Sequence, residues 1–279
     1  MNRLSIAPLL LLVAAPVLAA TAPTAVYIPV AGTISNASTA YTTSFRLTNR
    51  LGVRQLVRAD WIARDGVGSR ENAFRIDLAP NETRLIFSTF PIAGFPPTLG
   101  AVKFVAVEDD GSFDATASME ASAVINATRL ADFAGLTEAV PGVPVADMRG
   151  GDASGEMVFY PVLIPSFLPP GVPKARANYG IVNDAGVANT FVVEARFVVH
   201  NGIAANPREE TVIVAAHGMV QRPLLTFGSP VDDTGVIVTI RRLGTSDGLW
   251  TAYVSSIDGT TGDAMLVPPL PRNGRLEIE

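Results

Sequence analysis

The chain has 279 residues, 21 of them basic and 26 acidic, for a formal net charge of −5; it has two histidines and no cysteine. Hydrophobic residues make up 48% and charged residues 17%, which excludes an intrinsically disordered chain. The missing thiols exclude a disulfide scaffold, a thiolate metal site and a cysteine nucleophile, and no basic concentration is present to neutralise the phosphates of a nucleic acid.

Residues 1–22 read as an export signal. Asn2-Arg3 give a short basic start, residues 4–13 are apolar around Leu9-Leu10-Leu11-Leu12, and small residues follow. Val17-Leu18-Ala19 and Ala20-Thr21-Ala22 both fit a small-x-small cleavage site. The expectation is a cleaved signal and a mature protein in the periplasm or the extracellular space. No later run of 18 or more apolar residues occurs, so no membrane span is expected in the mature chain.

Beyond the signal, residues 26–145 and 157–271 repeat one pattern. Val26-Tyr27-Ile28-Pro29-Val30 lies over Val158-Phe159-Tyr160-Pro161-Val162. Phe45-Arg46-Leu47-Thr48-Asn49 lies over Tyr179-Gly180-Ile181-Val182-Asn183, with Gly52 and Gly186 three residues on. Ala59-Asp60-Trp61 matches Ala195-Arg196-Phe197, and Ile76-Asp77-Leu78-Ala79 matches Val212-Ile213-Val214-Ala215. Ala101-Val102-Lys103-Phe104-Val105 matches Gly235-Val236-Ile237-Val238-Thr239, and Gly111-Ser112-Phe113 is placed over Gly248-Leu249-Trp250. The offset drifts only from 132 to 137, which points to a duplication.

Each block has the pattern of a short strand. Phe45-Arg46-Leu47-Thr48 and Phe74-Arg75-Ile76-Asp77-Leu78 alternate apolar and polar residues, the period of a half-buried strand. Asp65-Gly66 and Asn201-Gly202 supply tight turns. About seven such strands per copy predict an all-β fold of two tandem Ig-like or fibronectin-III-like antiparallel sandwiches, with Trp61 buried on the third strand of its copy. The divisions are 23–128 for the first sandwich, 129–156 for a Gly/Pro-rich connecting segment, 157–271 for the second sandwich and 272–279 for a polar tail.

The stretch from Trp250-Thr251-Ala252-Tyr253-Val254 to Asp258-Gly259-Thr260-Thr261-Gly262-Asp263 and Pro268 resembles the closing motif of an Ig-like domain common in the secreted proteins of large-genome bacteria. Val26-Tyr27-Ile28-Pro29-Val30, the strand ends at Asn49 and Asn183, and Gly135-Leu136-Thr137-Glu138-Ala139-Val140-Pro141-Gly142 fit the same domain. The resemblance implies export, an Ig-like form and no established enzymatic activity.

Catalytic patterns are missing from the sequence. No Gly-x-Ser-x-Gly elbow, P-loop, Gly-x-Gly-x-x-Gly or His-Glu-x-x-His occurs. His200 and His217 read as exposed turn residues, and Glu108-Asp109-Asp110, Asp232-Asp233 and Glu209-Glu210 as solvated acids in turns. The Asp258 to Asp263 loop could give two carboxylates to calcium, but it is sparser than an EF-hand and reads as a turn. Arg46, Arg58, Arg64 and Arg75 share an outward phase and read as surface ion pairs with Asp60 and Asp77. The candidate partner contacts are Phe95, Phe167 and Leu168, in the apolar loops 90–97 and 164–171. The expectation is a non-enzymatic binding, adhesion or envelope-structural protein without cofactor or metal, with a protein or polysaccharide as partner. The alternative is a carbohydrate-binding accessory protein that uses loop aromatics, Phe95, Phe167 or Trp250.

Overall fold

A computed structural model describes residues 24–35, 39–64, 66–87, 98–129, 135–150, 155–162, 176–199, 202–203, 207–224, 236–246, 248–257 and 264–270. Among them every regular element is a strand, apart from one 3-10 turn at Val145–Asp147. The first half contains β1 (Ala25–Gly32), β2 (Ile34–Ser35), β3 (Thr39–Asn49), β4 (Gln55–Ala63), β5 (Arg70–Leu78), β6 (Thr83–Ile86), β7 (Leu99–Val107), β8 (Met119–Arg129), β9 (Gly135–Pro141) and β10 (Val143–Pro144). The second contains β11 (Glu156–Val162), β12 (Arg176–Asn183), β13 (Asn189–Val199), β14 (Gly202–Ile203), β15 (Arg208–Val214), β16 (Gly218–Pro223), β17 (Val236–Leu243), β18 (Trp250–Ile257) and β19 (Ala264–Val267).

The strands form four antiparallel sheets, two per half. One sheet of the first half runs β10-β1-β7-β4-β5; the other runs β3-β8-β9, with β2 and β6 along the free edge of β3. The second half repeats both orders, as β11-β17-β13-β15 with β14 folded onto β13, and as β16-β12-β18-β19. The inner pairings match those of an Ig-type sandwich, second long strand on fifth and third on sixth. The first strand of each half borders the sixth, and the seventh borders the second. The Gly/Pro-rich seam thus contains the eighth long strand of the first half, β9, which pairs with β8 from Ser122↔Pro141 to Thr128↔Gly135.

Alternation decides which side chains fill each core. In β5 Ile76 and Leu78 are buried while Arg75 and Asp77 are exposed, as the period of two requires. Trp61 is 1% exposed and belongs to the first core, where Phe45 meets the edge of Phe104 at 5.5 Å between ring centroids. In the second core Phe191 meets Trp250 edge-on at 5.1 Å. Edge-to-face pairs of this kind contribute about 1 kcal/mol beyond the area they bury.

Both halves carry the same hydrogen-bonded corner. Asn49 ends β3 and donates from Nδ2 to the carbonyls of Val53 (2.7 Å) and Ala79 (2.9 Å), while its Oδ1 accepts from the Leu51 amide. Asn183 ends β12 and does the same to Val187 (2.9 Å) and Ala215 (2.8 Å), accepting from the Ala185 amide. Both side chains are fully buried. The turn that supplies the second carbonyl carries a left-handed residue in each half, Asn81 (φ 55°) and His217 (φ 45°).

One block of the sequence alignment shifts. Asn49 is paired with Met119, and Asn183 with Trp250. Trp250 is therefore the counterpart of Met119, not of Phe113, which is 55% exposed and bridges to Val107 before β8 begins. The connection between β7 and β8 spans 108–118 against 244–249 between β17 and β18. Its glycine and aromatic residue imitate the start of the next strand.

Candidate functional site

The two halves pack face to face through the outer surfaces of one sheet each. On β1 and β7, Val26 and Ile28 point into the first core opposite Phe104 and Val102, whereas Tyr27 lies opposite Lys103 on the outer face. That outer face is covered too, so all eight residues of β1 are buried. The cover comes from β12, β16 and β18, whose inward residues Ile181, Val220 and Ala252 fill the second core while Val182, Met219 and Tyr253 join the first.

A polar cluster pins one side of this interface. Asp184 accepts hydrogen bonds from the Tyr27 hydroxyl and from Lys103 Nζ (2.8 Å), and Lys103 lies 5.3 Å above the Tyr27 ring. Burial, then the Asp184 charge, raise the Tyr27 hydroxyl well above the ordinary tyrosine range. His217, with its side chain 56% exposed, places Nδ1 3.6 Å from the same carboxylate. Ser69 Oγ donates to the His217 carbonyl at 2.6 Å and accepts from the Ala63 amide at 2.8 Å. Arg64 and Met219 form a parallel backbone bridge between the halves. Farther along, Arg149 and Trp250 exchange two backbone hydrogen bonds, of 2.9 and 3.0 Å.

On the other side the faces do not close, and a cleft of about 280 Å³ remains. From the first half, Ala31, Tyr41, Leu99, Ile125 and Glu138 line it; from the second, Asn178, Gln221, Tyr253, Ser255 and Leu266. The register puts the second set on one face. Gln221, Gly180 and Tyr253 form one cross-strand row, and Asn178, Ser255 and Leu266 the next. Gly180 makes room for Tyr253: a Cβ there would sit 2.0 Å from Tyr253 Cε1. An aromatic ring laid over a cross-strand glycine recovers packing that the glycine lacks.

Two polar groups in the cleft have no hydrogen-bond partner, Glu138 Oε1 and the Tyr253 hydroxyl. Glu138 stands in the core phase of edge strand β9, two residues before fully buried Val140. Burial alone pushes its carboxyl up to about 7. Tyr253 is 3% exposed; burial raises its hydroxyl strongly, Glu138 adds to that, and Arg64 opposes it. Inward acids on edge strands discourage pairing with other chains, but a buried polar atom without a partner is costly and calls for an explanation. Thr43 in the same wall is committed: it accepts from the Gly32 amide at 2.9 Å and donates to its carbonyl at 3.0 Å.

The residues singled out from sequence lie elsewhere. Phe95, Phe167 and Leu168 fall outside the described residues, as do Asp258, Asp263, Asp232, Asp233, His200 and residues 1–22, on which the expected export signal falls. Trp250 is fully buried in the second core and presents no platform for a sugar. Glu209 and Glu210 lie on β15 rather than in a turn, and Glu210 accepts from Tyr179 and Arg222. Arg46 stands on the opposite sheet from Arg58 and Arg75. Arg58 pairs with Asp60, while Asp77 pairs with Arg54. In the sequence Glu138 and Tyr253 stand only as parts of motifs, and the one local signal for the site is an acid in an apolar phase. Among the described residues no group of three or more His, Asp or Glu could hold a metal ion, and no helix is long and apolar enough to cross a membrane. No protein-family model and no curated protein matches the chain.

Proposed function

We propose that this is an exported, non-enzymatic binding protein of the bacterial envelope or extracellular space, and that it binds in the cleft between its two halves. The observation that carries this reading is the pair of buried, unpartnered polar atoms, Glu138 Oε1 and Tyr253 Oη, on residues that line one cavity with apolar walls. Ligand sites have that composition: mostly apolar lining with a few convergent polar groups, often where two domains meet. The N-terminal residues 1–22 and the resemblance to exported Ig-like domains support the address. Tandem β-sandwiches suit adhesion or envelope structure because their docked sheets give a fixed scaffold, and the cleft gives that scaffold a specific contact.

The test is capture with the immobilised chain 23–279 from the envelope and culture fluid of its host, with small molecules read by mass spectrometry. The control bait is Asn178→Trp, which fills the cleft from a residue that belongs to neither core. The reading expects a species held by the first bait and lost from the second. Equal recovery on both baits would place binding elsewhere on the molecule.

A further inference from the structure

We propose that the cleft is a site for a small organic ammonium ion, an amine with an alkyl or aryl body. This deepens the reading that the cleft is a binding site and rests on it. The first observation is the sign of the site. Glu138 is the only charged side chain lining the cleft among the described residues; no Lys, Arg or His accompanies it. The titratable groups that face it are Tyr41 and Tyr253, with Arg64 acting on Tyr253 from outside the lining. The cleft therefore presents a carboxyl group that no protein cation neutralises.

The second observation is which hydrogen bonds are missing. Glu138 Oε1 is a buried acceptor, and the Tyr253 oxygen is a buried acceptor as well as a donor. A ligand N⁺–H can satisfy both, and a charge-assisted bond in a site shielded from water is the stronger kind. An anion would meet the carboxylate without any compensating cation.

The third observation is the wall. Two phenol rings, Tyr41 and Tyr253, line the same cavity with Leu99, Ile125 and Leu266. Aromatic faces attract organic cations, and aliphatic side chains accept the apolar body. The volume, about 280 Å³, lies at the lower edge of the range for ligand pockets, which selects a small amine over a polyamine or a peptide. Burial holds the free carboxyl up to about 7, so an arriving cation favours its ionised form, and the amine should bind better above that pH than below it.

The experiment is isothermal titration of the chain 23–279 with 2-phenylethylamine, its neutral isostere 2-phenylethanol and the anion phenylacetate, at pH 8 and pH 5.5. The amine stays protonated at both. The inference expects the amine to bind at pH 8 at least tenfold more tightly than the alcohol, to weaken at least tenfold at pH 5.5, and phenylacetate not to bind. Glu138→Gln should remove the preference for amine and its pH dependence. Tyr253→Phe, which keeps the ring over Gly180, should weaken the amine severalfold while its thermal unfolding shows the fold intact. Alcohol and amine binding equally, with Glu138→Gln without effect, would overturn the ammonium assignment and leave the cleft a binding site. Preference for phenylacetate would overturn the assignment in the same way. Binding of none of the three at millimolar concentration would overturn both.

Discussion

Replacing Glu138 by Gln should flatten the pH dependence of stability between about pH 5 and pH 8.5. The carboxyl titrates at 4.5 when free and is pushed up to about 7 in the fold by burial. Between those values the folded chain holds a proton that the unfolded chain has released. Stability is therefore greatest below the free value and declines as pH rises through the folded one. The full shift corresponds to about 3 kcal/mol at 1.36 kcal/mol per pH unit. Glu138 is only partly buried, so solvent screening takes back a share, and a loss of about 2 kcal/mol is expected. The carboxylates held below their ordinary range, Glu82, Asp110 and Glu120, titrate beneath this window and do not contribute to it. The assay is urea unfolding of wild type and Glu138→Gln at pH 5 and pH 8.5. The amide has its own unpaired atoms, but their cost is the same at both pH values and cancels in the comparison. Parallel profiles for the two proteins would refute the claim that this carboxyl is desolvated.

Two further outcomes follow from named contacts. Asn49→Ala should cost about 3 kcal/mol, since it removes three hydrogen bonds worth about 1 kcal/mol apiece, and Asn183→Ala should cost more, since it also loses the bond from Asn189 Nδ2 at 2.8 Å; a urea midpoint for Asn183→Ala nearer wild type than that of Asn49→Ala would refute this ranking. Gly100→Ala should destabilise by about 3 kcal/mol or prevent folding, because its Cβ would sit 2.3 Å from the Trp61 ring and 2.6 Å from the Ile62 carbonyl, whereas Gly52→Ala, with nothing within 4 Å, should leave the melting temperature within a few degrees of wild type.

Strands were legible in the sequence because burial on one face writes a period of two, as in Phe74 to Leu78. The repeat was legible because an Asn that caps a strand and binds two distant carbonyls tolerates little change, so Asn49 and Asn183 stand at matching places. The shift at Trp250 was not legible, because turn length is free to vary and a Gly-aromatic pair in a turn resembles one at a strand start. Nor was the cleft. It is built from outward-phase residues of β12, β16 and β18 together with an acid on β9, and no local period reports that two distant sheets will meet. The apolar loops 90–97 and 164–171 stand out in the sequence by their Phe and Pro content, while Glu138 sits inside a motif whose residues have a structural reading.

The matched strands β8 and β18 show where the two halves differ. The register that equates Met119 with Trp250 also equates Glu120, Ser122 and Val124 with Thr251, Tyr253 and Ser255. In β8 these outward positions face solvent: Glu120 is exposed, Ser122 half-buried and Val124 39% exposed. In β18 all three are buried, at 0%, 3% and 6% exposure. Only the second copy has turned the outer face of this sheet into an interior. Its neighbours Val182 and Met219 are fully buried against the first half, where Tyr27 and Ile62 meet them from the facing sheet. Each such side chain contributes about 2 kcal/mol when withdrawn from water, so separating the halves would forfeit on the order of 10 kcal/mol, comparable to the whole stability of an ordinary domain. The two halves should then unfold together, in one calorimetric transition of the chain 23–279, and the fragment 157–271 alone should be unstable or aggregate through the uncovered face. Two well-separated transitions, or a soluble and cooperatively folding fragment, would show that the face is a weak contact between independent sandwiches, and the cleft beside it would then lose the fixed geometry that a binding site requires.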